Sequence, residues 1–268
     1  MKLRDWIDIY KLNWNELSRN PNAIELLKAN PKKINWSFLS LNPNAIEILE
    51  NEIENVDWDY LSRNPNAIEL LKNNIIEIDW FRLSGNPNAI ELLKENQDEI
   101  NWFWLSANPN AIELLKENPE KIEWEYLSKN PNAIKLLEKN PNKINWYLMS
   151  INPNAIKILE NNFDKIDWYY LSQNPNAIKL LKENSNKIYW NELSKNPNAI
   201  EILEKNKDRI NWINISSNPS IFTYDYQKIK DNFEELGEEI IAKALHPKRI
   251  FRLIEEYGED EVYDNYFE

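Results

Sequence analysis

The sequence predicts an all-α solenoid: a stack of ten 22-residue, two-helix repeats. Three observations carry the prediction. Trp14 recurs as Trp36, Trp58, Trp80, Trp102, Trp124, Trp146, Trp168, Trp190 and Trp212, always 22 residues apart and without insertion. Pro21 keeps the same step through Pro219, and Asn20 keeps it through Asn218. The unit between them reads I-[ND]-W-x-x-L-S-x-N-P-N-A-I-[EK]-[LI]-L-x-x-N-x-x-x. Fixed periods of this length mark stacked repeat architectures.

Each unit holds two helix starts. Asn20-Pro21 is the first: Asn accepts from the free backbone N–H groups, and Pro at the first helical position loses no hydrogen bond. Ala23, Ile24, Leu26 and Leu27 then make one apolar face. Glu25 and Lys28 fall opposite, three apart, where a weak ion pair forms. Asn30 suits the C-terminal end. The predicted helix is about nine residues long. The second start is Asn35 before Trp36, with Asp or Asn in that slot in eight of ten copies. Trp36 and Leu39 then point inward from a helix of about five residues, and Ile34 anchors the loop before it. Asn22 and its equivalents suit side-chain bonding between adjacent turns.

Neither helix is stable alone, because isolated helices under about 12–15 residues are marginal in water. Stacking must supply the stability, so the Trp column (Trp36, Trp58, Trp80, Trp102, Trp124, Trp146, Trp168, Trp190) is assigned to the repeat core. Burying one Trp removes roughly 150–250 Å² from water. At about 25 cal/mol per Å² this is on the order of 4–6 kcal/mol gross per repeat. With helices about 8–10 Å apart, ten copies give a rod or superhelix of roughly 80–100 Å. A leucine-rich-repeat-like α/β solenoid is the alternative. The Leu two residues before the usual inward Leu is missing, however, and Asn-Pro followed by Ala-Ile-Glu-Leu-Leu reads as helix.

The domain boundaries follow: residues 1–11 as an N-terminal cap, 12–222 as the solenoid, 223–268 as a C-terminal helical cap. The tenth copy decays after Pro219, where Ser220, Ile221 and Phe222 replace Asn, Ala and Ile. Trp6, Ile7 and Ile9 give the first segment its apolar side. The last has two amphipathic runs, about 226–245 and 247–257, and a net charge of -7. Open solenoids need terminal caps with a polar outer face; docking of a second partner is the other reading of the tail.

The tandem NPNAIELLK and IDWxxLS units resemble repeat proteins encoded by giant, mimivirus-like DNA viruses, over about residues 12–222. The tail, with Ala244-Leu245-His246-Pro247-Lys248-Arg249-Ile250, resembles C-terminal segments of such proteins more weakly. The Asn-, Ile- and Lys-rich composition fits translation of an AT-rich genome. The resemblance implies an origin, and no activity comes with it.

Composition narrows the function. The 268 residues carry 32 Lys+Arg, 44 Asp+Glu and one His, a net charge of -12. An acidic balance argues against binding nucleic acid by phosphate neutralisation. The absence of cysteine removes a disulfide scaffold, a zinc-thiolate site and a cysteine nucleophile. Three glycines supply no phosphate loop. The N-terminal residues lack the apolar core of a secretory signal, and no apolar run is long enough to span a bilayer. The expectation is a cytoplasmic protein, in the host cytoplasm or the virion if viral. His246 alone, before Pro247, is a helix-start residue; no catalytic set, metal site or cofactor is expected. The column Glu25, Glu47, Glu69, Glu91, Glu113, Lys135, Lys157, Lys179, Glu201 reads as a solvated helix face.

The two positions after each Trp vary. With Trp inward at 0°, the next residue lies near 100° and the one after near 200°, toward solvent. That second position reads Glu16, Phe38, Tyr60, Arg82, Trp104, Tyr126, Leu148, Tyr170, Glu192 and Asn214. Phe38, Tyr60, Trp104, Tyr126, Leu148 and Tyr170 are the candidate partner-binding stripe, since exposed aromatic rows mark protein interfaces. The alternative is that curvature buries them between helices. The resulting expectation is a non-enzymatic scaffold binding a protein partner through an extended aromatic face, monomeric or weakly self-associating. The second expectation is a structural virion or assembly component acting as a self-associating rod.

Overall fold

A computed structural model describes residues 1–227, 229–231, 233 and 246–257. The chain divides into two compact units, Leu3–Phe222 and the pair of terminal segments Met1–Lys2 with Thr223–Glu268. Leu3–Phe222 is an all-α repeat body with the predicted 22-residue step. The two short strands, Lys2–Leu3 and Phe222–Thr223, pair with each other.

Each of the first nine repeats contains a Trp helix, such as Trp36–Ser40, and an Ile helix, such as Ile46–Asn51; the tenth has the Trp helix Trp212–Ser216 followed by the 3-10 turn Pro219–Ile221. A 3-10 turn such as Pro31–Lys33 links one repeat to the next Trp helix. The nine-residue helix expected from Asn-Pro is shorter: α-helix begins only at the Ile, as in Ile24–Lys28. The reason is the Asn. Asn20 Oδ1 accepts from the Asn22 amide at 3.0 Å, which closes a tight turn over Pro21–Ala23 before helical bonding starts. The second N-cap forms as expected. Asn35 Oδ1 accepts from the Phe38 amide, and Asp57, Asp79 and Asp167 act alike. Glu123 and Tyr189, the two exceptions, make no such bond.

The fully buried core differs from the expected one. Leu17, Leu39, Leu61 and their equivalents, three residues after each Trp, have no exposed surface, and neither do Ala23, Ala45, Leu27 or Leu49. The Trp column is only half-buried and packs against this core. Six of its rings are covered by a cation from a neighbouring 3-10 turn, as Lys33 over Trp14 at 4.3 Å and Lys165 over Trp146 at 4.5 Å. The indoles thus work as amphipathic shims and leave full burial to Leu, which has no polar atom to satisfy.

Buried Ser and Asn columns tie repeat to repeat. Ser18 Oγ donates to the Trp14 carbonyl and accepts from the Asn35 amide of the next repeat. Asn42 Nδ2 donates to the Ser18 and Asn20 carbonyls, and Asn44 Nδ2 to the Pro21 carbonyl. The same set joins the last repeat to the first. Asn20 Nδ2 donates to the Ser216 and Asn218 carbonyls at 2.9 Å each. The Asn13 amide reaches Ser216 Oγ at 2.8 Å, and Asn22 Nδ2 reaches the Pro219 carbonyl at 3.0 Å.

The ten repeats therefore close into a ring, where the sequence suggested an open rod or superhelix of roughly 80–100 Å. A head-to-tail interface makes a ring when its rotation divides the circle, which for ten steps is about 36° each. Leu3–Lys11 belongs to this body. Lys11 lies 5.0 Å from the Trp212 ring, the place Lys33 takes over Trp14, and the Arg4 amide donates to the Ile221 carbonyl. This segment completes the circle where an end cap was expected.

Of the tail, Pro247–Tyr257 is helical as expected, and His246 accepts from the Arg249 amide at its start. Most of the run 226–245 lies outside the described residues.

Candidate functional site: the centre of the ring

Successive Trp helices are the helices that approach one another most closely between repeats, so they form the inner circle. Ten helices about 9 Å apart give a circle of radius about 14 Å, leaving a space roughly 20–25 Å across between backbones. Long side chains from opposite sides meet in such a space. Contacts that skip a repeat identify which ones do. Arg63, in the third repeat, lies over the Trp104 ring of the fifth at 5.2 Å. Arg63 also feels the charges of Arg82 and Arg19, and Lys129 that of Arg63, three repeats away.

Two columns therefore face the centre. One is the candidate stripe, Phe38, Tyr60, Trp104, Tyr126, Leu148 and Tyr170, all half-buried and less open than expected. Phe38 stacks on Tyr60 with centroids 6.1 Å apart, and Trp104 meets Tyr126 edge-on at 6.0 Å. The direction opposite the Trp is the crowded centre of the ring, which a straight rod would have left as solvent. The other column lies one helical turn further: Arg19, Leu41, Arg63, Gly85, Ala107, Lys129, Ile151, Gln173, Lys195 and Ser217. The sequence reading passed over it, although it is the unassigned position in L-S-x-N. Gly85 makes room for a neighbour, since a Cβ there would lie 3.5 Å from Trp104 Cε3.

The residue directly after the Trp is the exposed one in nine of ten repeats, Ser37 being half-buried, in place of the next. Phe81 is 51%, Phe103 36%, Tyr147 62% and Tyr169 42% exposed. Being equivalent positions of one ring, they share one annular band. Tyr169 meets Tyr189 at 5.6 Å, and Phe103 lies against Tyr126 at 3.4 Å, so the band rests on the half-buried stripe. Beside it lie equivalent clefts one repeat apart. One, of about 560 Å³, is lined by Trp146, Tyr147, Asp164 and Lys165 among others; the next, of about 490 Å³, by Trp168, Tyr169, Asn186 and Lys187.

The centre is basic within an acidic chain. The two inner columns hold five cations (Arg19, Arg63, Arg82, Lys129, Lys195) against Glu16 and Glu192. Arg19 pairs with Glu16 at 2.6 Å, Arg82 with Asp59 at 2.6 Å, and Lys195 with buried Glu192 at 2.9 Å. The Asp59 hydrogen bond raises the Arg82 pKa, while desolvation and then the Arg82 charge lower that of Arg63. Burial and then Arg63 lower that of Lys129. The Tyr169 phenol is raised by its hydrogen bond to Glu192, and that of Tyr126 by burial.

The perimeter is solvated by contrast. Glu69–Lys72, Glu91–Lys94 and Glu113–Lys116 repeat as exposed pairs at 2.7–3.0 Å, and such pairs contribute little. Among the described residues, no group of three or more His, Cys, Asp or Glu side chains is placed to hold a metal ion. No described helix is long and apolar enough to cross a membrane. No family model, curated protein or solved structure matches the chain.

Proposed function

We propose that the chain is a non-enzymatic ring scaffold that binds a protein partner through its aromatic band. The observation that carries this reading is the exposed set Phe81, Phe103, Tyr147 and Tyr169, arrayed at one-repeat steps beside clefts large enough for a partner's side chains. Exposed aromatics held over half-buried ones resemble the core of an interface more than a solvated surface. The Glu/Lys perimeter supplies solubility. The resemblance to giant-virus repeat proteins supports a virus-encoded factor acting in host cytoplasm. A structural role by self-association would use the same band, face to face, because closure consumes both ends of the stack.

The test compares two triple variants. Phe103→Ser/Tyr147→Ser/Tyr169→Ser alters the band, and Glu69→Lys/Glu91→Lys/Glu113→Lys alters the perimeter. A partner captured from infected-cell lysate by wild type and the perimeter variant, but lost by the band variant, is the expected result. Equal capture by all three rejects the reading. Self-association through the band would instead give concentration-dependent sedimentation of wild type that the band variant lacks.

A further inference from the structure

The donors at the centre of the ring are not all satisfied. Arg63 Cζ and Lys129 Nζ lie 5.2 and 4.9 Å from the Trp104 ring centroid, which places the two cations within about 10 Å of each other. Arg19, Arg82 and Lys195 each have a carboxylate in ion-pair range, whereas neither Arg63 nor Lys129 has one among the described residues. The indole Nε1–H of Trp104 is buried and has no acceptor. A cation–π contact compensates a desolvated charge only in part, because the ring face offers a quadrupole and no lone pair. Among the described residues, two cations without a carboxylate partner thus share one indole whose buried N–H lacks an acceptor.

We propose that Arg63, Lys129 and Trp104 form an oxyanion site for a phosphate-class dianion. The guanidinium presents its planar fork to two oxygens, the ammonium takes a third as a point charge, and the indole N–H fixes orientation. The depressed proton affinities of both cations agree with this: Arg63 is held charged against desolvation and the Arg82 charge, Lys129 against desolvation and the Arg63 charge, and a bound anion relieves these costs. The band touches this site only through ring contacts: Phe81 and Phe103 each meet the Trp104 ring edge-on at 5.9 Å, and neither lies over Arg63 or Lys129.

The test is calorimetric titration of the full chain with inorganic phosphate at low ionic strength, with sulfate and chloride as comparison anions. Saturable binding, stronger for phosphate than for chloride and accompanied by a change in Trp fluorescence, is expected. Arg63→Gln and Lys129→Gln each weaken it about tenfold or more, and Trp104→Phe, which keeps the ring and removes the N–H, weakens it several-fold. Lys94→Gln, on the perimeter, leaves it unchanged. Without phosphate, Arg63→Gln and Lys129→Gln melt at or above the wild-type temperature, because each removes an unpaired charge. No saturable binding by wild type, equal binding by the glutamine variants, or glutamine variants that melt lower with and without phosphate would each overturn the site and leave the two cations a structural role. Retained phosphate binding in a Tyr147→Ser/Tyr169→Ser variant, whose residues touch neither Trp104 nor the two cations, separates this site from the proposed partner surface.

Discussion

Asn20→Ala is the perturbation that tests ring closure. In an open solenoid Asn20 sits in the first repeat, with no repeat before it, and loses only a local cap worth about 1 kcal/mol. In the ring it makes three bonds: it donates to the Ser216 and Asn218 carbonyls and accepts from the Asn22 amide. At a net of about 1 kcal/mol per bond, the substitution costs about 3 kcal/mol, and more if a buried carbonyl is left unpaired. For a chain of this size that is a drop in Tm of roughly 6–12 °C. Asn108→Ala, in the middle of the chain, removes the equivalent bonds to Ser84, Asn86 and Asn110. The ring therefore makes the first and the fifth repeat equal. Circular dichroism melts and urea unfolding of the two variants measure the difference. Hydrogen exchange gives a second readout: the Asn13 amide, bonded to Ser216 Oγ, should be as protected as the Asn101 amide on Ser84 Oγ. A loss of about 1 kcal/mol or less for Asn20→Ala beside about 3 for Asn108→Ala, with a fast-exchanging Asn13 amide, would refute closure.

Glu123→Asp restores the N-cap that Asp57, Asp79 and Asp167 make, and should stabilise the chain by about 0.5–1 kcal/mol in urea unfolding. Gly85→Ala should be neutral or stabilise by up to about 1 kcal/mol through the unfolded chain, because the new Cβ meets Trp104 at an ordinary 3.5 Å. Gly85→Leu should instead displace that indole and shift its fluorescence. Lys129 has a lowered pKa, so the unfolded chain binds its proton more tightly than the native one. The resulting penalty is full below the folded pKa and is relieved as pH rises from there to the ordinary lysine value. The stability advantage of Lys129→Gln over wild type, followed by unfolding from pH 8 upward, should accordingly shrink as pH rises through that window.

Local chemistry was legible in the sequence because it acts within one repeat. Asn before Pro, Asn or Asp before Trp, and the Leu columns each declare their role through neighbours a few residues away, and all three stand where expected. Closure was not legible, because it is the sum of ten small rotations, and one repeat does not reveal whether its rotation is nearer 25° or 36°. The misassigned face follows from that. The helical-wheel angles were right for Trp104 relative to Trp102, but the direction read as solvent became the centre once the stack curved fully round. Serine was missed for another reason. Ser18 and its equivalents look like small surface residues, and only the stacked structure shows each Oγ donating to a Trp carbonyl while accepting the next repeat's Asn amide.

Closure also explains where the repeat stops repeating. At the perimeter each sector is solvated and separate, so the same Glu–Lys pair recurs in three successive repeats without conflict. At the centre the sectors converge, and any residue chosen there meets its own copies. Ten arginines would repel one another across the ring, and ten indoles would exceed the space. The two inner columns must therefore be heterogeneous: Gly85 yields volume to Trp104, Glu192 neutralises Lys195, and Asp59 answers Arg82. Most of that variation is compensated pair by pair. Where it is not, at Arg63 and Lys129, packing and symmetry give no account of the choice of residue. Among the described residues these two cations have no carboxylate partner, and that missing charge is what the proposed anion supplies.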